Sequence, residues 1–174
     1  MTGGDVARTG LVVLLFLLVQ QTIALNIVVA GAHPDVLLLL PIVTGLGAGP
    51  ARGAAMGFAA GIVADLFVPA PFGLSALVGT LVGFAVGSLV NYSSRSPWWV
   101  VPGVALTASA AAVMLYAVLG AVLGEEQFLR ADLAAIVLVV GVANALLSLP
   151  ALRLVIWSFG VNRERGTLAA VGRR

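Results

Sequence analysis

The sequence predicts an all-α integral membrane protein of six transmembrane helices, and three observations carry that expectation. Hydrophobic residues make up 61% of the 174 and charged residues only 9%, too few charges to clothe a water-facing surface. The apolar residues fall into six blocks close to the roughly 20 residues a helix needs to cross about 30 Å of hydrocarbon. Short polar breaks separate the blocks, and eight of the nine arginines fall in or beside alternate breaks and termini.

In chain order the blocks run from Gly10 to Val29, Val36 to Ala48, Gly53 to Val68, Gly73 to Val90, Trp98 to Leu123 and Leu133 to Phe159. The first follows Arg8 and ends at Ala30-Gly31-Ala32, which looks like a signal peptide with a small-residue cleavage site. Its apolar run exceeds the usual signal length, so it is read as a retained span. The second and third blocks are short, and Pro41 interrupts one of them. Folding them as a re-entrant hairpin would place Arg52 near the bilayer centre at about 2.5 to 3.5 kcal/mol, so two tilted spans are expected instead. Gly73 opens the fourth block after Pro69 and Pro71, residues that end one helix before the next begins. Trp98 and Trp99 follow Pro97 at the start of the fifth, where interfacial aromatic anchors are expected. Residues 1–161 thus form a single six-helix domain, and 162–174 a basic tail containing Arg163, Arg165, Arg173 and Arg174.

Arg8, Arg52, Arg95, Arg153 and the four tail arginines share one side of this topology, and Arg130 is alone on the other. That asymmetry places both termini in the cytoplasm and leaves Asp35, Asp65, Glu125, Glu126 and Asp132 on the outer side. A net charge of +2 with scattered arginines gives no nucleic-acid footprint. There is no cysteine and a single histidine, His33, so no thiolate or His-rich metal site can be built. Gly73-Leu74-Ser75-Ala76 departs from the nucleophile-elbow pattern, and no catalytic constellation or phosphate loop is present. The expectation is a protein without enzymatic activity or cofactor.

Gly53, Gly57, Gly61 and Asp65 recur every four residues and so form one stripe on a helix. Gly79, Gly83 and Gly87 repeat the device in the next block. Such small-residue faces let backbones approach closely. Either the two faces pack within the bundle or they receive a partner's helix. Asp65 is the only acid well inside an apolar block; it is a functional candidate by its position, or else a carboxylate bonded to nearby backbone. Gln20, Gln21, Thr22 and Asn26, and likewise Asn144 and Ser148, are expected to hydrogen-bond across helices. His33, beside Pro34, is read as a solvated or helix-capping residue.

The run Pro34-Asp35-Val36-Leu37-Leu38-Leu39-Leu40, the glycine ladder Gly53 to Asp65, and Pro71-Phe72-Gly73-Leu74-Ser75-Ala76-Leu77 together resemble the rod shape-determining protein MreD family. The resemblance covers about residues 34–90; the first span and the last two agree only in length and hydropathy. It implies a small component of the bacterial elongation machinery that binds the transmembrane helix of the bitopic protein MreC and connects to MreB, RodA and an elongation penicillin-binding protein. It also implies an architecture similar to the substrate-capture subunits of energy-coupling-factor transporters. By the same resemblance Gly53, Gly57, Gly61, Asp65, Gly73, Gly79, Gly83 and Gly87 become candidates for shaping the partner groove. The alternative is a subunit that captures a vitamin-type solute, with Asp65, Gln20 and Asn26 as ligands.

Overall fold

A computed structural model of the chain describes residues 3–22, 26, 28–29, 32–67, 71–90, 96–124 and 132–159. Among them are six α-helices and no strand: α1 (Gly3–Thr22), α2 (Leu39–Ala48), α3 (Pro50–Asp65), α4 (Leu74–Leu89), α5 (Val100–Val122) and α6 (Leu133–Phe159). The tail from 162 to 174, Ala30, Gly31, Pro69, Arg95, Glu125, Glu126 and Arg130 lie outside the described residues. Helices α5 and α6 are long and apolar enough to cross a membrane; their 23 and 27 residues reach roughly 35 and 40 Å at 1.5 Å per residue.

Helix α2 is the centre of the bundle. Its 10 residues are too few to cover about 30 Å, yet every residue from Leu39 to Gly47 is buried. A helix apolar on all sides has no face to give to an exterior and must be surrounded; α2 packs on α3, α4, α5 and α6. It turns into α3 through Gly49 alone, whose φ of 92° is open to glycine and costly for other residues. Pro50 then begins α3 at the first helical position, where its fixed φ suits a helix and its missing N–H is not needed. The third helix therefore starts three residues before the apolar block does, and Arg52 sits in its first turn.

The first helix also differs from its apolar block, running from Gly3 to Thr22 where hydropathy placed it from Gly10 to Val29. Its polar end is held locally. Thr22 Oγ1 donates to Leu18 O, and Asn26 Nδ2 donates to Thr22 O at 2.7 Å. Gln20 makes the cross-segment bond expected of it, donating from Nε2 to Pro34 O at 3.2 Å and accepting from Val36 N at 2.8 Å. Thr22 and Asn26 bond along their own segment instead. Similarly, Asn144 of α6 donates to Ser109 Oγ of α5 at 2.9 Å, while Ser148 donates to Ala145 O within its own helix.

The closest contact joins α3 and α4, which run antiparallel. Gly53 faces Gly83, Gly57 faces Gly79, Gly61 faces Ala76, and Gly87 faces Pro50. A Cβ built on Gly79 would lie 2.7 Å from Gly57 O, and one on Gly87 would lie 2.6 Å from Pro50 Cα. Gly45 of α2 joins them, since its Cβ would stand 2.5 Å from Gly83 O. Three backbones converge there with no side chain between. Such contact supplies dispersion and Cα–H···O attraction, and it offsets the roughly 1 kcal/mol that each helical glycine costs relative to alanine.

Two arginine–aromatic contacts order the ends of the bundle. The Arg8 guanidinium lies 5.2 Å from the Trp157 ring centroid and that of Arg52 lies 5.6 Å from Phe159, within cation–π range. The start of α1, the α2–α3 turn and the end of α6 therefore share one end, which carries Arg8 and Arg52. Asp35 and Asp65 lie at the opposite end. Between the ends the outward faces are apolar, with Leu18, Phe58, Leu81, Phe84, Leu138 and Leu146 all exposed.

Gly57→Leu should lower the detergent unfolding temperature and the folded yield, by more than the about 1 to 3 kcal/mol typical of an overpacked side-chain core, because what it meets is backbone. Gly103, around which a Cβ meets nothing within 4 Å, supplies the comparison. Gly103→Leu should unfold close to the unaltered chain. Equal unfolding temperatures for the two variants would overturn the close contact of α3 with α4.

Candidate functional site

The Asp-bearing end of the bundle is built by helix termini. Helix α3 ends at Asp65 and α4 begins at Leu74, with Gly73 turning the chain at φ 95°. Asp65 is buried, and its carboxylate takes up the free N–H groups of the α4 first turn. Oδ2 accepts from Gly73 N at 2.8 Å and from Ala76 N at 3.5 Å, and Oδ1 accepts from Ser75 N at 3.1 Å. The first N–H groups of a helix have no partner inside it, and its positive dipole end favours an anion. One carboxylate thus serves as a cap delivered from the preceding helix.

Six of the sequence candidates, Gly53, Gly57, Gly61, Gly79, Gly83 and Gly87, lie where α3 meets α4 and the α2–α3 hairpin. The two stripes face each other, and the room that a partner's helix would need along them is filled by this chain's own backbone. Gly73 and Asp65 belong to the cap. The stripe is therefore an internal joint, and a groove for a second chain along it is sterically closed.

Beside this joint is a cavity of about 360 Å³. Its inner walls come from Pro41 of α2, Gly57 of α3, Gly79 of α4, Val113 of α5 and Val140 of α6. Its polar lining gathers at the Asp-bearing end: Gln20, Gln21, His33, Asp35, Ser75 and Tyr116. The amide of Gln20 is engaged by Pro34 and Val36, which holds the 34–36 segment against α1. Tyr116 and Ser75 are hydrogen-bonded side chain to side chain, joining α5 to the start of α4. Among the described lining residues there is no arginine, and Asp35 is the one carboxylate.

Asp35 Oδ1 accepts from Leu38 N at 3.2 Å, capping the turn that leads into α2. Burial pushes its carboxyl above the ordinary 3.8, and the N–H groups of Leu38 and Leu37 oppose that rise. Because the charged form is the one disfavoured by folding, the stabilising contribution of Asp35 is whole below pH 3.8 and is lost as pH rises through its folded value. His33 is exposed beside it, as a solvated histidine should be. No group of three or more His, Asp or Glu residues placed to hold a metal ion occurs among the described residues.

Sequence reasoning missed Gly45, Asp35 and Tyr116. Gly45 lies in a short glycine-bearing block, Gly45-Leu46-Gly47-Ala48-Gly49, which the turn at Gly49 separates from the ladder on the next helix. Tyr116 is an isolated polar ring in an apolar block, a signal that is visible but undirected. Asn26, a suggested ligand for a captured solute, is exposed and bonded to Thr22 O; Asp65 is engaged by three N–H groups. Comparison with family models, with curated proteins and with solved structures finds no match to this chain.

Asp65→Ala would leave three N–H groups of α4 unpaired, and unfolding in detergent should show a loss of about 1 to 2 kcal/mol, in the range of other cap removals. Asp65→Asn, which keeps an acceptor, should lose less. For Asp35→Asn, stability compared with the unaltered chain across pH should favour the variant increasingly as pH rises from 3.8. A difference that stays constant with pH would show that Asp35 titrates alike in the folded and unfolded chains.

Proposed function

We propose that this chain is a non-enzymatic, multi-pass component of the bacterial cell-elongation machinery of the MreD type, residing in the inner membrane with both termini cytoplasmic. The observation that carries the reading is the run of motifs from Pro34 to Leu77, because each motif has a defined place in the central helices or at the Asp-bearing end. Pro34 and Asp35 lead into the buried α2, the glycine ladder joins α3 to α4, and Asp65 caps the turn at Gly73. A multi-pass position is supported by the apolar exterior of α1 and α3 to α6 and by the length of α5 and α6, with the short α2 enclosed among them. The orientation is supported by Arg8 and Arg52 lying together at one end, as cytoplasmic arginines do. The role is to bind the transmembrane helix of an MreC-like bitopic protein and thereby support control of peptidoglycan synthesis with MreB, RodA and the elongation transpeptidase. The docking face lies on an outward surface, since the glycine joint is closed.

A second reading is favoured by one specific observation, the polar-ended cavity of about 360 Å³. Its size is within the roughly 300 to 1,000 Å³ of small-molecule sites, and it suits a substrate-capture subunit for a small solute.

Cysteines placed near Arg52, Arg95 and Arg165 should resist an impermeant thiol reagent in intact cells, and those near His33 and Gln127 should label. Labelling at position 95 but not at 127 would reverse the orientation. The full chain should co-purify from native membranes with a single-span coiled-coil protein, and loss of the gene should turn rod-shaped cells wide or round. Unchanged shape together with abolished uptake of a nutrient would replace the elongation reading with solute capture.

A further inference from the structure

The cavity has a chemical polarity that the capture reading by itself does not specify. Its inner part is walled by Pro41, Val78, Val113, Ile136 and Val140, all apolar. Its other end gathers the polar side chains of Gln20, Gln21, His33, Ser75 and Tyr116, and the one acidic side chain among the described lining is that of Asp35. Ser75 and Tyr116 are tied to each other, and Gln20 is tied to the 34–36 segment, so these three form a fixed rim. A fixed polar rim around one carboxylate selects by charge. An anionic head would face a like charge with only the exposed imidazole of His33 and no described arginine to answer it, whereas a cationic head would relieve a carboxylate held in a partly desolvated place.

We propose that this cavity binds a small amphiphile with a protonated amine head, the amine donating to Asp35 and the hydrocarbon body lying among Pro41, Val78, Val113 and Ile136. The inference rests on the second reading above and names its substrate class. Recognition is by two features: apolar walls along the cavity, and a single negative group among its polar lining. The glycine joint shapes the floor of the cavity through Gly57 and Gly79 and offers no polar side chain to a ligand.

The test uses the full chain in nanodiscs of zwitterionic lipid and calorimetric titration with three probes that share one hydrocarbon body: phenethylamine, phenethyl alcohol and phenylacetate. Phenethylamine should saturate one site and bind about tenfold or more tighter than the alcohol, the gain of one well-placed ion pair, and phenylacetate should be weakest. Asp35→Asn keeps an oxygen acceptor for Leu38 N and should remove the advantage of the amine over the alcohol. Val113→Trp, which fills the cavity from α5, should abolish saturable binding of all three, with circular dichroism showing retained helix. If phenylacetate binds as tightly as phenethylamine and Val113→Trp abolishes both, the amine class is wrong while solute capture stands. If no probe saturates, or if the filled variant binds as the unaltered chain does, the cavity is not a ligand site and the capture reading fails with it.

Discussion

Two helices cannot bring their backbones into contact while a Cβ stands between them, and the centre of this bundle is organised around that limit. At Gly45, Gly53 and Gly83 three helices meet with only main chain between them. Gly57 with Gly79 and Gly61 with Ala76 continue the contact towards the Asp-bearing end. In the membrane setting proposed above, apolar burial does not drive helices together, so association must come from contact density and short polar approaches. Glycine is the residue that permits both. Its poor helix propensity is tolerated because a helix in hydrocarbon has nowhere else to satisfy its backbone.

Much of the remaining architecture follows from this joint. With α3 and α4 drawn together, α2 is enclosed on all sides and has a side chain such as Ile42 or Val43 wholly buried. The antiparallel register brings the end of α3 beside the start of α4, so that Asp65 reaches the N–H groups of Gly73, Ser75 and Ala76. The same register sets Ser75 within reach of Tyr116 and fixes one side of the cavity. Helix α1 is tied mainly to α6 and carries an exposed leucine face; it is the most peripheral element, linked to the centre through Gln20 and the 34–36 segment.

The two functional readings draw on different parts of this arrangement. Partnership with a bitopic protein concerns the outward, lipid-facing surfaces, because the glycine stripes are consumed internally. Solute capture concerns the volume between the six helices, which no single segment of the chain announces. A carboxylate inside an apolar block, such as Asp65, attracts a functional interpretation, yet here it is engaged by backbone N–H groups. Asp35, which hydropathy places in an ordinary polar break, is the acid that faces the cavity.

The sequence by itself determined the all-helical class, the number of helices among the described residues and, nearly to the residue, the extents of α4, α5 and α6. Block length and turn residues such as Gly73 are local properties, and local properties are legible in one dimension. It also determined that the stripes Gly53 to Gly61 and Gly79 to Gly87 lie at close helix contacts, since a spacing of four fixes a face. Which surface that face meets was decided only by the tertiary structure, because a small-residue stripe is equally suited to a neighbour in the same chain and to one in another. The shifted ends of α1 and the early start of α3 were likewise decided in three dimensions. Hydropathy averages over a window and does not register that Gln20 is held by Pro34 and Val36, or that Gly49 reverses the chain in a single residue. The cavity and the place of Asp35 in it required the packing of six helices, and no spacing along the chain encodes a volume.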